Sequence, residues 1–157
     1  MLKYLLVFLV SMVPIIELRG AVPIAIGYYG IDFFPALAIC AVGNILPVPV
    51  IYFFARKFLI WGQDKKYIGK LCSFFLIKGE HTGKKLVAKT GRYGLFLALF
   101  LFVGIPIPGT GAWTGTLAAS FLDMGFKSTV VSVSLGVILA GMIMAVGTTG
   151  VFSFLGL

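Results

Sequence analysis

Two short motifs hold most of the chemistry available to this chain. The first is Glu17-Leu18-Arg19-Gly20-Ala21-Val22-Pro23; the second is Pro106-Ile107-Pro108-Gly109-Thr110-Gly111-Ala112-Trp113-Thr114-Gly115. Both are embedded in apolar sequence, where an ionisable side chain costs about 3 kcal/mol or more at mid-bilayer and by default marks a site or a proton path. If the backbone unwinds at Glu17, residues two apart project to one side and Glu17 can pair with Arg19. The competing use is structural, an ion pair that pins a turn, although glycine and proline alone could build one. In the second motif the prolines lack N–H groups and the glycines permit close backbone approach. Thr110 and Thr114 offer hydroxyls to a polar cavity, and Trp113 could gate it or stack. Tight packing of one turn on the other is the competing use here.

Electrostatics indicates what such a site prefers. Half-helices starting near Gly20 and Gly111 would aim two N-termini at one place, each equivalent to about +0.5 charge. Adding Arg19 and an ionised Glu17 gives roughly +1, and protonating Glu17 roughly +2. Such a site favours an anion, and Glu17 is placed to couple binding to protons. Asp32 and Asp123 complete the carboxylates a proton could visit. Each also precedes a long apolar span and reads as its N-cap, with Pro35 suited to the first turn after Asp32.

The elements that must position these residues follow from segment length. Apolar residues make up 60% of the 157-residue chain and charged ones 11%, against about 25% charged in soluble domains. This is the composition of an integral membrane protein. Phe33–Phe54 and Ser128–Phe154 are long enough to cross a hydrocarbon core of about 30 Å. Leu5–Ile16 and Leu95–Ile105 are not, at roughly 18 Å of helix or less. Each short stretch meets a break, Glu17–Gly20 or Pro106–Thr110, and is followed by a second short helix, Ala21–Tyr29 or Gly111–Phe121. Arm, break and returning arm make a re-entrant hairpin, tolerated only where protein or water covers the broken backbone. The alternative for residues 2–29 is one kinked spanning helix, with Glu17 and Arg19 unpaired near mid-bilayer.

The order of features repeats. A shift of 91 positions lays Gly20-Ala21 on Gly111-Ala112 and Asp32 on Asp123, and a further shift of two lays Gly43 on Gly136. With one span between the hairpins, the predicted fold is all-α. It is an inverted-topology repeat of hairpin plus transmembrane helix, with residues 1–55 and 93–157 as the repeats of a single membrane domain. Residues 56–92 join them and carry ten basic side chains against Asp64 and Glu80, the whole net charge of +8. Flanked by spans, this stretch reads as cytoplasmic under the positive-inside rule, with both termini outside the cell membrane. Leu59, Ile60, Trp61, Tyr67, Ile68, Leu71 and Phe74–Ile77 interleave with its lysines. The pattern suits an amphipathic helix on anionic inner-leaflet headgroups, and nucleic acid is excluded as a partner. Pro47 and Pro49 should kink the first span, with Asn44 near enough to satisfy a freed carbonyl. Ser128, Ser132, Gly136 and Ala140 form a small-residue stripe for helix packing, within the chain or in a homodimer.

Cys40 reads as packing and His81 as solvent-exposed, and neither cysteine has disulfide or metal spacing. The apolar N-terminus resembles a signal peptide without a cleavage site and is expected to be retained. No catalytic constellation, metal cluster or cofactor fingerprint is present, so no enzyme, metal or cofactor is expected.

The two motifs, E-x-R-G-A-hydrophobic-P at Glu17–Pro23 and P-x-P-G-T-G-A-W at Pro106–Trp113, resemble those of small multidrug export proteins over nearly the whole chain. That family is more distantly similar to the DedA/VTT superfamily. The similarity implies two re-entrant hairpins in an inverted repeat. For some members it implies proton-coupled translocation of phospholipids or polyprenyl-phosphate carriers. The Glu17 and Arg19 types match the first hairpin of such proteins, whereas the arginines they carry around the second-hairpin proline are missing from Pro106–Gly115. Three functions remain open. The first is a small secondary transporter or lipid translocase with an anionic substrate bound between the two turns. The second is an exporter of small cationic drugs, which Arg19 opposes. The third is a non-transporting scaffold that holds anionic lipid through residues 56–92.

Overall fold

The structure is a computed structural model that describes residues 1–65 and 69–155. Lys66, Tyr67 and Ile68 of the basic segment lie outside the described residues, as do the side chains of Leu71, Phe75 and Leu76. The described residues form helices joined by short turns: α1 (Leu2–Met12), α2 (Glu17–Pro23) with a π-helical turn over Ile24–Tyr28, α3 (Phe33–Ile45), α4 (Val48–Gln63), α5 (Gly69–Gly104), α6 (Ala112–Phe121) and α7 (Phe126–Leu155). Three stretches are long and apolar enough to cross a membrane: Phe33–Gln63, Val87–Gly104 and Phe126–Val151.

Residues 2–29 do not run straight. The Lys3 ammonium donates to the Tyr29 carbonyl at 3.3 Å, where a continuous helix would hold these residues about 39 Å apart. The chain therefore doubles back. The break lies at Val13–Ile16, not at Glu17–Gly20 as the charged residues suggested. Pro14 forces it. It cannot donate to the preceding turn and pushes Val13 into extended conformation (φ −73°, ψ 128°). Glu17 and Arg19 consequently belong to the first turn of the returning helix. Further along, Pro23 removes another helical hydrogen bond, and the backbone resumes in π register, with the Tyr29 amide on the Ile24 carbonyl at 3.0 Å.

The second half doubles back in the same way. Gly91 (φ 71°) breaks α5, so the arm entering the turn is residues 92–104, about 20 Å of helix. Pro106–Thr110 form the turn, with Gly109 at φ 87°, a value that favours glycine. The returning α6 lies antiparallel on the arm, and a Cβ on Gly115 would press on Val103 and Leu99.

Between the hairpins, Pro47 and Pro49 divide the long span into α3 and α4 at Leu46-Pro47, as their missing N–H groups require. The halves have different neighbours: α3 packs on α1 and α2, α4 on α5 and α6, and α7 touches both hairpins. Helix α4 continues through Arg56 to Gln63, so the basic segment begins on the end of the spanning helix.

Two glycines set the closest helix contacts. A Cβ on Gly43 would strike Ser11 and stand 2.7 Å from the Phe8 carbonyl of α1; on Gly136 it would stand 2.8 Å from Val103 and 2.9 Å from the Phe100 carbonyl of α5. Ser132 donates to the Phe96 carbonyl at 2.7 Å. Ser132, Gly136 and Ala140 are thus buried against their own chain.

Asp32 occupies the N-cap position of α3 without a side-chain capping bond. Asp123 is not a cap at all. It sits at φ 56° before the α6–α7 turn and pairs with Arg56 of α4. Both partners are nearly half exposed, which holds such a pair to about 0–1 kcal/mol.

Gly43→Ala and Gly136→Ala should each destabilise the protein by about 1–3 kcal/mol through backbone overpacking. Gly147→Ala, where a Cβ meets nothing within 4 Å, should be neutral or stabilising by up to about 1 kcal/mol. Reversible unfolding in bicelles or detergent checks all three.

Candidate functional site

The two hairpin turns meet, and they meet through charge. Arg19 donates to the carbonyl of Ile107, to the Thr110 hydroxyl at 2.9 Å and, more weakly, to the Ile105 carbonyl at 3.4 Å. These oxygens lie at the C-terminal end of the α5 arm, the negative end of that helix. Glu17 accepts the Trp113 backbone N–H at 3.2 Å, at the positive N-terminus of α6. A Cβ on Gly111 would overlap the Glu17 carboxylate, so only glycine permits this approach. The Trp113 indole N–H donates to the Met12 carbonyl at 3.1 Å and satisfies one of the carbonyls that end α1.

This geometry corrects the predicted Glu17–Arg19 pair. Glu17 opens the returning helix at positive φ and Arg19 follows within it, and the two side chains do not pair. Each serves the other hairpin instead. The first returning helix starts at Glu17, not Gly20, and the α6 N-terminus is already occupied by the Glu17 carboxylate. Glu17 itself is buried and held at φ 50°, a left-handed conformation that costs a non-glycine residue about 1–3 kcal/mol and collects at functional positions.

A cavity of about 500 Å³ opens beside this junction, within the size range of small-molecule sites. Among its lining residues are Glu17, Arg19, Gly20, Pro108, Gly109, Thr110, Gly111 and Thr114, joined by Pro14–Ile16, Pro106 and Met144 of α7. All of the predicted substrate-binding residues are therefore brought together except Trp113, whose indole is engaged with Met12. Thr114 is partly committed too, its hydroxyl accepting the Gly111 N–H at 2.8 Å. Asp32 and Asp123 stand elsewhere: Asp123 lies the full length of α6, about 15 Å, from the junction, and Asp32 lies beyond Tyr29 at the open end of the first hairpin. A second cavity, of about 560 Å³, flanks the Gly91 bend; Lys84, Arg92, Asp123 and Ser128 are among its lining residues.

Asn44 is the residue whose importance was missed. It is buried to 3% exposure on α3, and its side-chain oxygen has no hydrogen-bond partner. It relieves no proline-freed carbonyl; instead it faces a narrow void with Glu17, Arg19, Gly111 and Ala112 that is too small for a water molecule. An orphaned acceptor of this kind costs about 1–3 kcal/mol. The legible signal was an amide in an otherwise apolar span, which in a membrane protein faces the protein interior or a pathway.

A membrane protein of paired helical hairpins packed around two long helices is the class that this architecture defines. Residues 17–143 match the family described as "Putative small multi-drug export protein". The chain belongs to that family, and the matched range takes in Glu17 and Arg19, the second turn and most of the long helices. No curated protein and no solved structure matches it.

Gly111→Ala should push Glu17 off the α6 N-terminus and lower stability by about 1–3 kcal/mol, the range for losing a buried charge-assisted bond. Glu17→Ala should cost about as much, and the double variant little more than either single one, because both remove one interaction. Additive losses in a double-mutant cycle would mean that the two groups do not interact.

Proposed function

We propose that this protein is a small proton-linked secondary transporter or lipid translocase, with its substrate path through the cavity where two re-entrant hairpins meet. The observation that carries the reading is the junction itself: Arg19 and Glu17, beside a cavity of about 500 Å³, are held by the opposite turn rather than by each other. A purely structural contact between two turns has no need of an ionisable pair at this depth.

The inverted repeat is supported by the paired glycines. Gly43 meets Phe8 and Ser11, and Gly136 meets Phe100 and Val103, so each long helix touches the first arm of its own hairpin at corresponding positions. With one spanning unit (α3–α4) between the hairpins, they enter from opposite sides and both termini lie outside. The basic residues then gather on the cytoplasmic face, as the positive-inside rule prefers. Exposed Phe74 and Ile77 among lysines suit the α5 segment before Gly91 to the inner leaflet.

An anionic substrate fits this junction best, in the form of a lipid phosphate or a similar headgroup. Arg19 now rests on carbonyl and hydroxyl oxygens. Phosphate oxygens are stronger acceptors of the same kind, and by replacing the turn they would release one hairpin from the other. Glu17 would follow by taking up a proton. The second cavity, with Lys84 and Arg92, would receive the headgroup from the cytoplasmic side. Drug export, the activity in the family's description, is the second reading; Glu17 favours it and Arg19 opposes it.

Reconstitution in liposomes tests the assignment. Arg19→Ala should reduce flux of a phosphate-bearing lipid at least tenfold, and Glu17→Gln should abolish its dependence on a pH gradient. If Arg19→Ala instead spares or improves efflux of a small organic cation, the cation reading replaces this one. If both turn variants behave as wild type and only neutralising the lysines of 65–89 has an effect, the protein is a lipid-binding scaffold.

A further inference from the structure

We propose that Asn44 accepts the proton-bearing oxygen of Glu17 as a hydrogen-bond donor, so that it acts as a positioning residue for the neutral state of that carboxyl. The inference rests on the reading of Glu17 as the proton-coupling group, and it names the partner that reading lacks. The Asn44 side-chain oxygen is buried without a donor, and the void it faces admits no water. Any donor must therefore come from the walls. Leu18, Val103, Val137 and Ala140 are apolar. The Gly111 amide is taken by Thr114 and the Trp113 amide by Glu17. The terminal nitrogens of Arg19 donate to the second turn, and the Ala112 amide, like that of Trp113, is directed at the Glu17 carboxylate. Glu17 is the wall residue that can gain a donor, by taking up a proton.

The two protonation states then have different partners. As a carboxylate, Glu17 is held at the α6 N-terminus through the Trp113 amide. When one oxygen is protonated, the other keeps that bond, and the new O–H turns to Asn44. The charged groups around Glu17 leave this exchange local. Arg19 is the charged side chain of the same helix, α6 offers only backbone amides, α7 brings Met144, and Cys40 lies one turn from Asn44 on α3. Lys3 and Asp32 stand at the far end of the first hairpin, Arg56 and Asp123 at the far end of the second.

The Trp113 amide bond to Glu17 supplies the readout. In a Trp61→Phe background Trp113 is the sole tryptophan, since the chain has two, and its fluorescence in nanodiscs is followed against pH. A transition that disappears in Glu17→Gln belongs to Glu17. Asn44→Leu, which matches the volume but accepts nothing, should move that midpoint down by about one pH unit, tenfold in proton concentration. Asn44→Ser, which keeps an oxygen, should fall between the two and carries the test if the Leu variant does not fold. An unmoved midpoint, or a transition that survives Glu17→Gln, overturns the proposal. So does an upward shift, which would mean that the amide NH2 group faces Glu17. A shifted midpoint alongside pH-independent flux would keep the Asn44 assignment and remove proton linkage from the transport reading.

Discussion

The fold depends on an exchange of helix-end charges between its two hairpins. Where the second hairpin turns, α5 ends and α6 begins, so a negative and a positive helix end lie side by side. In water the solvent would satisfy them; away from water, protein groups must. The first hairpin supplies both answers from one helical turn, Arg19 for the carbonyl end and Glu17 for the amide end. The Trp113 indole returns the favour by satisfying the Met12 carbonyl at the end of α1. Neither turn is complete without the other, which explains why charged residues are kept in so apolar a chain.

The surrounding helices are built to hold that exchange in place. Pro14 turns the first hairpin, and Glu17 follows at positive φ with its carboxylate pressed against Gly111. The close contacts at Gly43 and Gly136 bring each long helix within backbone distance of a hairpin arm, and small residues at such crossings give the dense packing that membrane helices rely on. The break at Leu46-Pro47 lets α3 follow one hairpin and α4 the other. These features position the site without joining it.

Segment length made the first doubling-back legible from residue types alone, because about 12 apolar residues cannot cross about 30 Å, whereas the second arm continues a stretch, Val87–Gly104, long enough to cross. The second turn could be located and its meeting with the first inferred. Three details could not be read. The break at Pro14 was hidden because Ile15 and Ile16 continue the apolar run, although the restriction a proline places on its predecessor was available. The partners of Glu17 and Arg19 depend on where the break falls, and shifting it by four residues turned a predicted ion pair into two contacts with another hairpin. Asp123 resembled Asp32 as a helix cap, yet its partner is Arg56, 67 positions away in sequence. Separation of that kind leaves no local pattern to read. Residue types survive such errors because chemistry is carried by the side chain; pairings do not, because they are set by the fold.

The same exchange constrains how the molecule can move. Separating the turns exposes the carbonyls at Ile105 and Ile107 together with the α6 amides, and it strips Arg19 and Glu17 of their partners at one stroke. None of these losses is tolerable singly in a low-dielectric setting. An anion can take over Arg19 but leaves Glu17 charged against the same apolar walls. A proton can neutralise Glu17 but leaves Arg19 on its carbonyls. Only both together leave each charged or polar group of the first hairpin with a partner or without charge, and Asn44 stands where the neutral carboxyl would need one. Linkage between substrate and proton, in this reading, needs no separate relay. It follows from two opposite charges having been placed on one turn of helix and given to one neighbour.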